Sequence, residues 1–390
     1  MNLNVQQPNR RRRLGQSILG IVSATAILTG AAHADEIRFA NPQSDLNAVS
    51  IGIASYIEAL NATGEFDIRR YGAALLPQGE VAAGLRDGVV GMGFLVTAYL
   101  PAEFSEMNLH ATLSMLVTSG TPTDSIVAAA SGAMMEYVFF NCPECLTQFA
   151  SQNMVFLSSG STNTYDLLCA DKVSTLSEMS GRRFRSGAAN FTRWAESTGA
   201  TVVPMDSTEV FPAMSQGVLD CNMLSVADIV SNGLVDVVDS VLLGAPGGVF
   251  SGFATNTVNL DTWRGLTENQ RTAMIEASSG LVADIVIAQN SNLEAGMEAA
   301  RAAGIEIHEM DEGTRTAYDQ FVQGDLAVVS KQFTDLYGVT AVDGKIQLSA
   351  ELIERWKGLT NGIGTDRDAL VALFTREIFS RIEPATYGMN

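Results

Sequence analysis

Apolar side chains recur along this chain with two periods, and the periods alternate. Residues 36–40 (E-I-R-F-A) switch between polar and apolar as a half-buried strand does, and Asn41-Pro42 breaks the run. Across 47–63, Val49, Ile53, Tyr56, Ile57 and Leu60 fall at helical spacing, with Gly64 placed to end the helix. Residues 66–71 predict a second strand, and 78–87 a short helix stopped at Gly88. Residues 89–95 are apolar throughout, as strands buried on both faces are. Strand, helix, strand, helix, strand predicts an α/β layer on a parallel sheet.

The alternation resumes later. Strands are expected at 154–157, 165–169, 182–186, 201–204 and 218–222, with helical segments at 175–180, 190–198 and 207–216 between them. One helical pattern then dominates 261–303. Thr267 is its N-cap, with Gln270 three residues on, and Gly304 ends it. At ~1.5 Å per residue this pattern reaches roughly 50 Å, longer than one lobe of this size, so it should brace both layers. A strand at 305–308 and helices at 314–337, 350–358 and 367–382 follow. The expected fold is α/β, a two-lobe, hinge-closing binding-protein architecture of the Venus-flytrap type. In it 35–157 form mainly lobe I, 158–250 mainly lobe II, and 251–390 the crossing segments, the bridging helix and the C-terminal helices.

The first 34 residues break the pattern. Arg10, Arg11, Arg12 and Arg13 precede an apolar stretch from Leu14 to Leu28, and Ala32-His33-Ala34 supplies a small-x-small site. This is the layout of a secretory signal peptide, so cleavage is expected after Ala34 and the product in the periplasm. The apolar part is short of the ~20 residues a membrane span needs. No later segment is expected to span either, so no membrane insertion should follow cleavage. Loss of those arginines sharpens the charge balance. The whole chain has 24 basic and 43 acidic residues, a net of -19; past residue 34 only 20 cations remain. Such a surface cannot neutralise a polyphosphate backbone, which excludes nucleic acid as a partner. Beyond His33 only His110 and His308 remain, too few for a His-rich metal site, and neither metal nor cofactor is expected.

Cys142, Cys145, Cys169 and Cys221 are an even set in an oxidising compartment, which suggests two disulfides among three possible connectivities. Cys142-Pro143-Glu144-Cys145 is also a C-x-x-C. A secreted thiol–disulfide oxidoreductase would place Cys142 at a helix N-terminus after a strand, whereas the residues before it look like the end of a helix. A secreted hydrolase is the other alternative. It would want G-x-S-x-G, H-E-x-x-H or a singled-out carboxylate pair, and none is present, so no catalysis is expected.

The cations that remain are unevenly placed. Between Arg86 and Arg182 the only one is Lys172, and then Arg182, Arg183, Arg185 and Arg193 fall close together. Residues 181–187 (G-R-R-F-R-S-G) describe a basic strand running into a glycine loop. Arg183 and Arg185 share one face and Phe184 takes the other. Ligands of open α/β sheets sit at the carboxyl ends of strands. An Arg there can grip a carboxylate through two parallel N–H···O bonds, and in so acidic a protein a small anion needs such a positive point.

Several segments, in this order and spacing, give the chain a resemblance. They are 78–99 (Q-G-E-V-A-A-G-L-R-D-G-V-V-G-M-G-F-L-V-T-A-Y), 174–187 (S-T-L-S-E-M-S-G-R-R-F-R-S-G), 199–220 (G-A-T-V-V-P-M-D-S-T-E-V-F-P-A-M-S-Q-G-V-L-D) and 263–271 (W-R-G-L-T-E-N-Q-R). Together they resemble the DctP-like solute receptors of TRAP (tripartite ATP-independent periplasmic) transporters. The resemblance implies a receptor that captures a small organic carboxylate and delivers it to integral-membrane permease subunits. It carries the family's carboxylate-pairing Arg onto Arg185. The family's usual Asn falls on Leu224, which makes Asn222, Ser225 and Asp228 candidate replacements. Where some members carry a further Arg this chain has none, and Asn163 and Tyr165 are the candidates there. Gln43, Phe94 and Tyr99 follow strand ends in lobe I and are placed to close over a ligand. Cys169 and Cys221 both sit at strand ends of lobe II, which favours Cys169–Cys221 beside Cys142–Cys145, on condition of a Cα separation below about 7 Å.

Overall fold

The computed structural model describes residues 35–119 and 123–389, so the expected signal peptide lies outside the described residues. The chain lays down β1 (Glu36–Ala40), α1 (Ala48–Asn61), β2 (Asp67–Tyr71), α2 (Val81–Arg86) and β3 (Met92–Leu95). Three helices follow, α3 (Ser105–Thr112), α4 (Ile126–Glu136) and α5 (Pro143–Ser151), then β4 (Met154–Ser159). It crosses into β5 (Asp166–Cys169), α6 (Leu176–Met179), β6 (Arg183–Ser186), α7 (Ala189–Ser197), β7 (Thr201–Pro204), α8 (Val210–Ser215), β8 (Cys221–Leu224), α9 (Asp228–Ser231) and β9 (Ser240–Leu243). It returns through β10 (Ala254–Asn259), α10 (Leu260–Gly265) and α11 (Glu268–Ala303), then adds β11 (Glu306–Glu309), α12 (Glu312–Tyr337), α13 (Val342–Thr360) and α14 (Arg367–Glu377).

Two sheets result, ordered β2-β1-β3-β10-β4 and β11-β9-β5-β8-β6-β7. Neither is wholly parallel as expected. The first has one antiparallel strand, β10, and the second has one, β5. Each is the strand at which the chain arrives from the other sheet, so its direction follows from the crossing. β10 escaped the periodicity because its residues, A-T-N-T-V-N, are largely polar yet all buried. Helix α3 escaped it too, since its polar and apolar side chains alike are buried, and of α4, buried nearly all round, only the end was legible.

The long pattern is two helices, broken at Leu266. Thr267 caps α11: its hydroxyl accepts from the Gln270 N–H at 3.2 Å, and Gln270 Oε1 accepts from the Thr267 N–H at 3.0 Å. Gly304 ends the helix at φ 78°. Contrary to expectation, this one helix is long and apolar enough to cross a membrane, but 61% of its most apolar window is buried inside the protein. Its apolar face is core. Near its start the Tyr56 hydroxyl of α1 donates to Met274 O at 3.2 Å, fixing it to lobe I. Near its end the Val226 carbonyl of lobe II packs onto Gly296 so closely that a Cβ would not fit. One rigid rod thus touches both lobes.

The residues before Cys142 end a helix, as expected, but Cys142 also opens another. α4 runs into a wide turn, Tyr137–Asn141, and Cys142 then caps α5, its sulfur accepting from the Cys145 N–H at 3.1 Å. The residue ends one helix and begins the next. No strand precedes it.

Candidate functional site

The site is built on β6. Strand alternation sends Phe184 into the core, where it is fully buried and stacks on Trp194 at 6.4 Å. Arg183 and Arg185 take the other face and meet different fates. Arg183 is half-exposed and held by Asp220, with Nε to Oδ2 at 3.0 Å and Nη2 to Oδ1 at 2.6 Å. Its guanidinium holds the Asp220 carboxyl below the usual range. Arg185 is only 1% exposed. Its Nε donates to Met205 O at 3.0 Å and its Nη2 to the Tyr99 hydroxyl at 3.2 Å, while Nη1 is buried without a partner. Gly187 makes the placement possible, since a Cβ there would press on the guanidinium.

Tyr99 belongs to lobe I, in the turn after β3, so its contact with Arg185 spans the cleft. Its hydroxyl also accepts from the Ser207 N–H at 3.3 Å. Around this contact lies a cavity of about 60 Å³, lined by Arg185, Asp228, Tyr165, Leu224, Gln43, Phe94, Tyr99, Phe250, Phe253 and Gln289 among others. That is the liquid volume of roughly two waters, room for a polar head group. A second cavity of about 400 Å³ shares the Tyr99 and Phe250 walls. Asn108 and Thr112 of lobe I, Asn190 and Phe191 of lobe II, and Phe333 and Tyr337 of α12 help line it. Asn190 Nδ2 donates to Ser114 Oγ across the cleft at 3.1 Å.

Six of the residues singled out in the sequence, Arg185, Asp228, Tyr165, Phe94, Gln43 and Tyr99, line the small cavity. Three do not. Asn163 donates instead to the Gln289 carbonyl at 2.6 Å, pinning the crossing to α11. Ser225 Oγ accepts from the Ala227 N–H at 3.3 Å. Asn222 lies beside Arg185 in register on β8, fully buried, with neither amide atom hydrogen-bonded. Leu224, at the family's Asn position, puts an apolar wall where an amide would stand. Phe250 and Phe253 were not foreseen. They sit in a glycine-rich return crossing (G-G-V-F-S-G-F) whose place in the cleft no local period reports.

Burial governs the ionisable groups. It pushes Asp228 up to about 6, opposed by bonds from Ser231 and Ser225 and by Arg185. It raises the Tyr165 hydroxyl, against the pull of Arg185. Behind the site, on β5, Asp166 is pushed up to about 7, although it accepts from the Gly244 N–H at 2.8 Å and the Val226 N–H at 3.1 Å.

The cysteines pair as Cys142–Cys145 and Cys169–Cys221, with Cα separations of 5.2 and 4.0 Å. The second joins directly opposed residues of β5 and β8. Cys142 and Cys145 are buried, at 1% and 0% exposure, which removes the access that thiol exchange requires.

Two α/β lobes, a bracing helix and a buried guanidinium in the cleft define a two-lobe solute-binding protein. The chain belongs to the bacterial extracellular solute-binding protein family 7, whose DctP profile matches residues 58–332. No curated protein matches it. Among solved structures it is similar to a marine metagenome TRAP solute binding protein specific for aromatic acid ligands, in complex with 3-hydroxybenzoate. Identity is 19% and the TM-score 0.72, covering 83% of this chain and 99% of that one. It is similar to the periplasmic ectoine-binding protein of the TeaABC TRAP transporter of Halomonas elongata, at 13% identity and TM-score 0.70, covering 82% and 100%. It is also similar to a TRAP solute binding protein from Rhodoferax ferrireducens with copurified benzoate, at 16% identity and TM-score 0.70, covering 83% and 99%. The fold is that of TRAP solute receptors.

Proposed function

We propose that the protein is the periplasmic receptor of a TRAP transporter. It captures a small organic carboxylate on Arg185, closes, and presents it to the integral-membrane permease subunits. One observation carries the reading: Arg185 is buried at the lobe interface with Nη1 unpartnered, beside a small cavity. A buried N–H donor without an acceptor is costly, and a solute oxygen arriving in the cleft removes that cost. Tyr99 holds Nη2 where a ligand carboxylate would accept, so the bidentate grip forms by displacing a neutral hydroxyl. The similar receptors bind 3-hydroxybenzoate and benzoate, which carry the carboxylate that a guanidinium grips.

The test is calorimetry and thermal shift with the mature chain against a panel of small carboxylates. Binding is expected to raise the melting temperature by mass action. It is expected to vanish in both Arg185→Ala and Arg185→Lys, with the circular dichroism spectrum unchanged. Undiminished affinity in Arg185→Ala would sink the reading. Export is tested separately: the periplasmic product should begin at Asp35, and an N-terminus upstream of Ala34 overturns the cleavage assignment.

A further inference from the structure

The cavity at Arg185 contains a second charged group that carboxylate capture does not use. Asp228 opens α9 and lines the same cavity as Arg185. Its Oδ2 accepts from the Ser225 N–H and its Oδ1 from the Ser231 hydroxyl, both at 3.2 Å. A carboxylate has about four lone-pair positions, so each oxygen retains capacity. Among the described residues neither Asp228 nor Arg185 has an ion-pair partner. Much of the remaining wall is aromatic: Phe94, Tyr165, Phe250 and Phe253. Phe94 meets Phe253 edge-on at 5.4 Å, and Tyr165 stacks with Phe250 at 6.1 Å.

The charges decide what fits. A plain carboxylate brought onto Arg185 leaves two carboxylates and one guanidinium around a cavity of about 60 Å³. That arrangement carries an uncompensated buried charge, which is unfavourable. A solute with its own cation beside its carboxylate forms two complementary pairs and leaves the closed cavity neutral. Aromatic faces stabilise a desolvated cation further.

We propose that the solute is a zwitterion, held by its carboxylate on Arg185 and by a cationic nitrogen on Asp228. The small volume confines the two charges to neighbouring atoms, as in an α-amino acid or a compact cyclic relative. The rest of the solute extends past Tyr99 and Phe250 into the larger cavity. This rests on the Arg185 reading above and adds the second charge.

The experiment compares matched pairs on the mature, ligand-stripped receptor at mildly alkaline pH: proline against cyclopentanecarboxylate, valine against isovalerate, phenylalanine against 3-phenylpropionate. At least one zwitterion is expected to bind tenfold or more tighter than its matched carboxylate. Asp228→Asn, which keeps an acceptor for Ser225, is expected to reverse that order. The wild-type ratio stands as a measurement even where the variant does not fold. Matched carboxylates binding as well as the zwitterions, a ratio unmoved in a folded Asp228→Asn, or no response to any zwitterion overturns the proposal. If plain carboxylates then still bind and still need Arg185, the receptor reading survives; if Arg185→Ala retains binding, that reading fails first.

Discussion

Lobe I reaches the cleft with uncharged groups, the Gln43 amide, the Phe94 ring and the Tyr99 hydroxyl, whereas lobe II reaches it with Arg185 and Asp228. Yet the two sheets share one plan, parallel strands with a single antiparallel strand at the crossing. The difference lies in how each lobe handles charge. Lobe II leaves a guanidinium buried and incompletely bonded. At the rim of the same lobe every guanidinium nitrogen of Arg193 is bonded, through Asp325 of α12 at 2.6 and 2.7 Å, Gln332 at 3.0 Å and Thr112 of lobe I at 3.1 Å. A completed network is structural. An unfinished one, in the same cleft, leaves a donor free for a solute, as proposed above. Lobe II thus supplies the charged side chains of the cavity and lobe I neutral ones.

The strongest test of this asymmetry sets Arg185 against Tyr99. Arg185→Ala should weaken ligand binding a thousandfold or more, about 4 kcal/mol by calorimetry, because a charged buried partner is lost. The ligand-free protein should unfold no more easily than before. Tyr99→Phe removes one neutral hydrogen bond and should cost about 1 kcal/mol of binding. Equal losses would erase the distinction between the lobes.

The disulfides extend the comparison. Cys169–Cys221 closes a separation of 52 residues within lobe II, whereas Cys142–Cys145 closes three in lobe I. Chain entropy predicts losses of about 4 and under 2 kcal/mol for the respective double serine variants in denaturant titrations. The reverse order would show that loop closure does not govern them.

Arg193→Ala strands a nearly buried Asp325 and should destabilise by about 3 kcal/mol. In the double variant with Asp325→Ala the loss should be smaller than the sum of the two single losses. Simple additivity would show that the pair is not coupled.

A pair of opposed pH slopes is also expected. Burial in lobe I holds His110 down to about 3 from 6.5. The unfolded chain gains that proton first, so the stability from neutral His110 is present above 6.5 and is lost as pH falls toward 3. Burial in lobe II lifts Asp166 from 3.8 to about 7. The folded state keeps its proton longer, so that contribution is present below 3.8 and is lost as pH rises through 7. Denaturant unfolding across this range should show His110→Phe removing a rise of stability with pH between about 3 and 6.5, and Asp166→Asn removing a fall between 3.8 and about 7, each by on the order of 2 kcal/mol. An unchanged profile in either variant removes that group from the account.

Much of the frame was legible in the sequence. The first three strands, the Thr267–Gln270 cap, the stop at Gly304 and the strand carrying Arg185 all announce themselves through local periods and end signals. So did six side chains of the small cavity, because scarce cations and strand ends mark a crevice in an α/β fold. The misses have physical causes. Helices buried all round show no amphipathic period, β10 hides polar residues inside a sheet, and the aromatic return crossing carries no local signal.

The linear chain by itself therefore determined the type and rough extent of most elements, the acidity that excludes polyanions, and the prominence of Arg185, since each follows from a residue and its near neighbours. Only the tertiary structure decided that β5 and β10 run against their sheets, that Cys169 faces Cys221, and that Tyr99 reaches Arg185. It also decided that Asp228 shares the arginine's cavity. Strand pairing, desolvation and an unmet hydrogen bond depend on which distant segments are brought together, and local spacing carries no record of that.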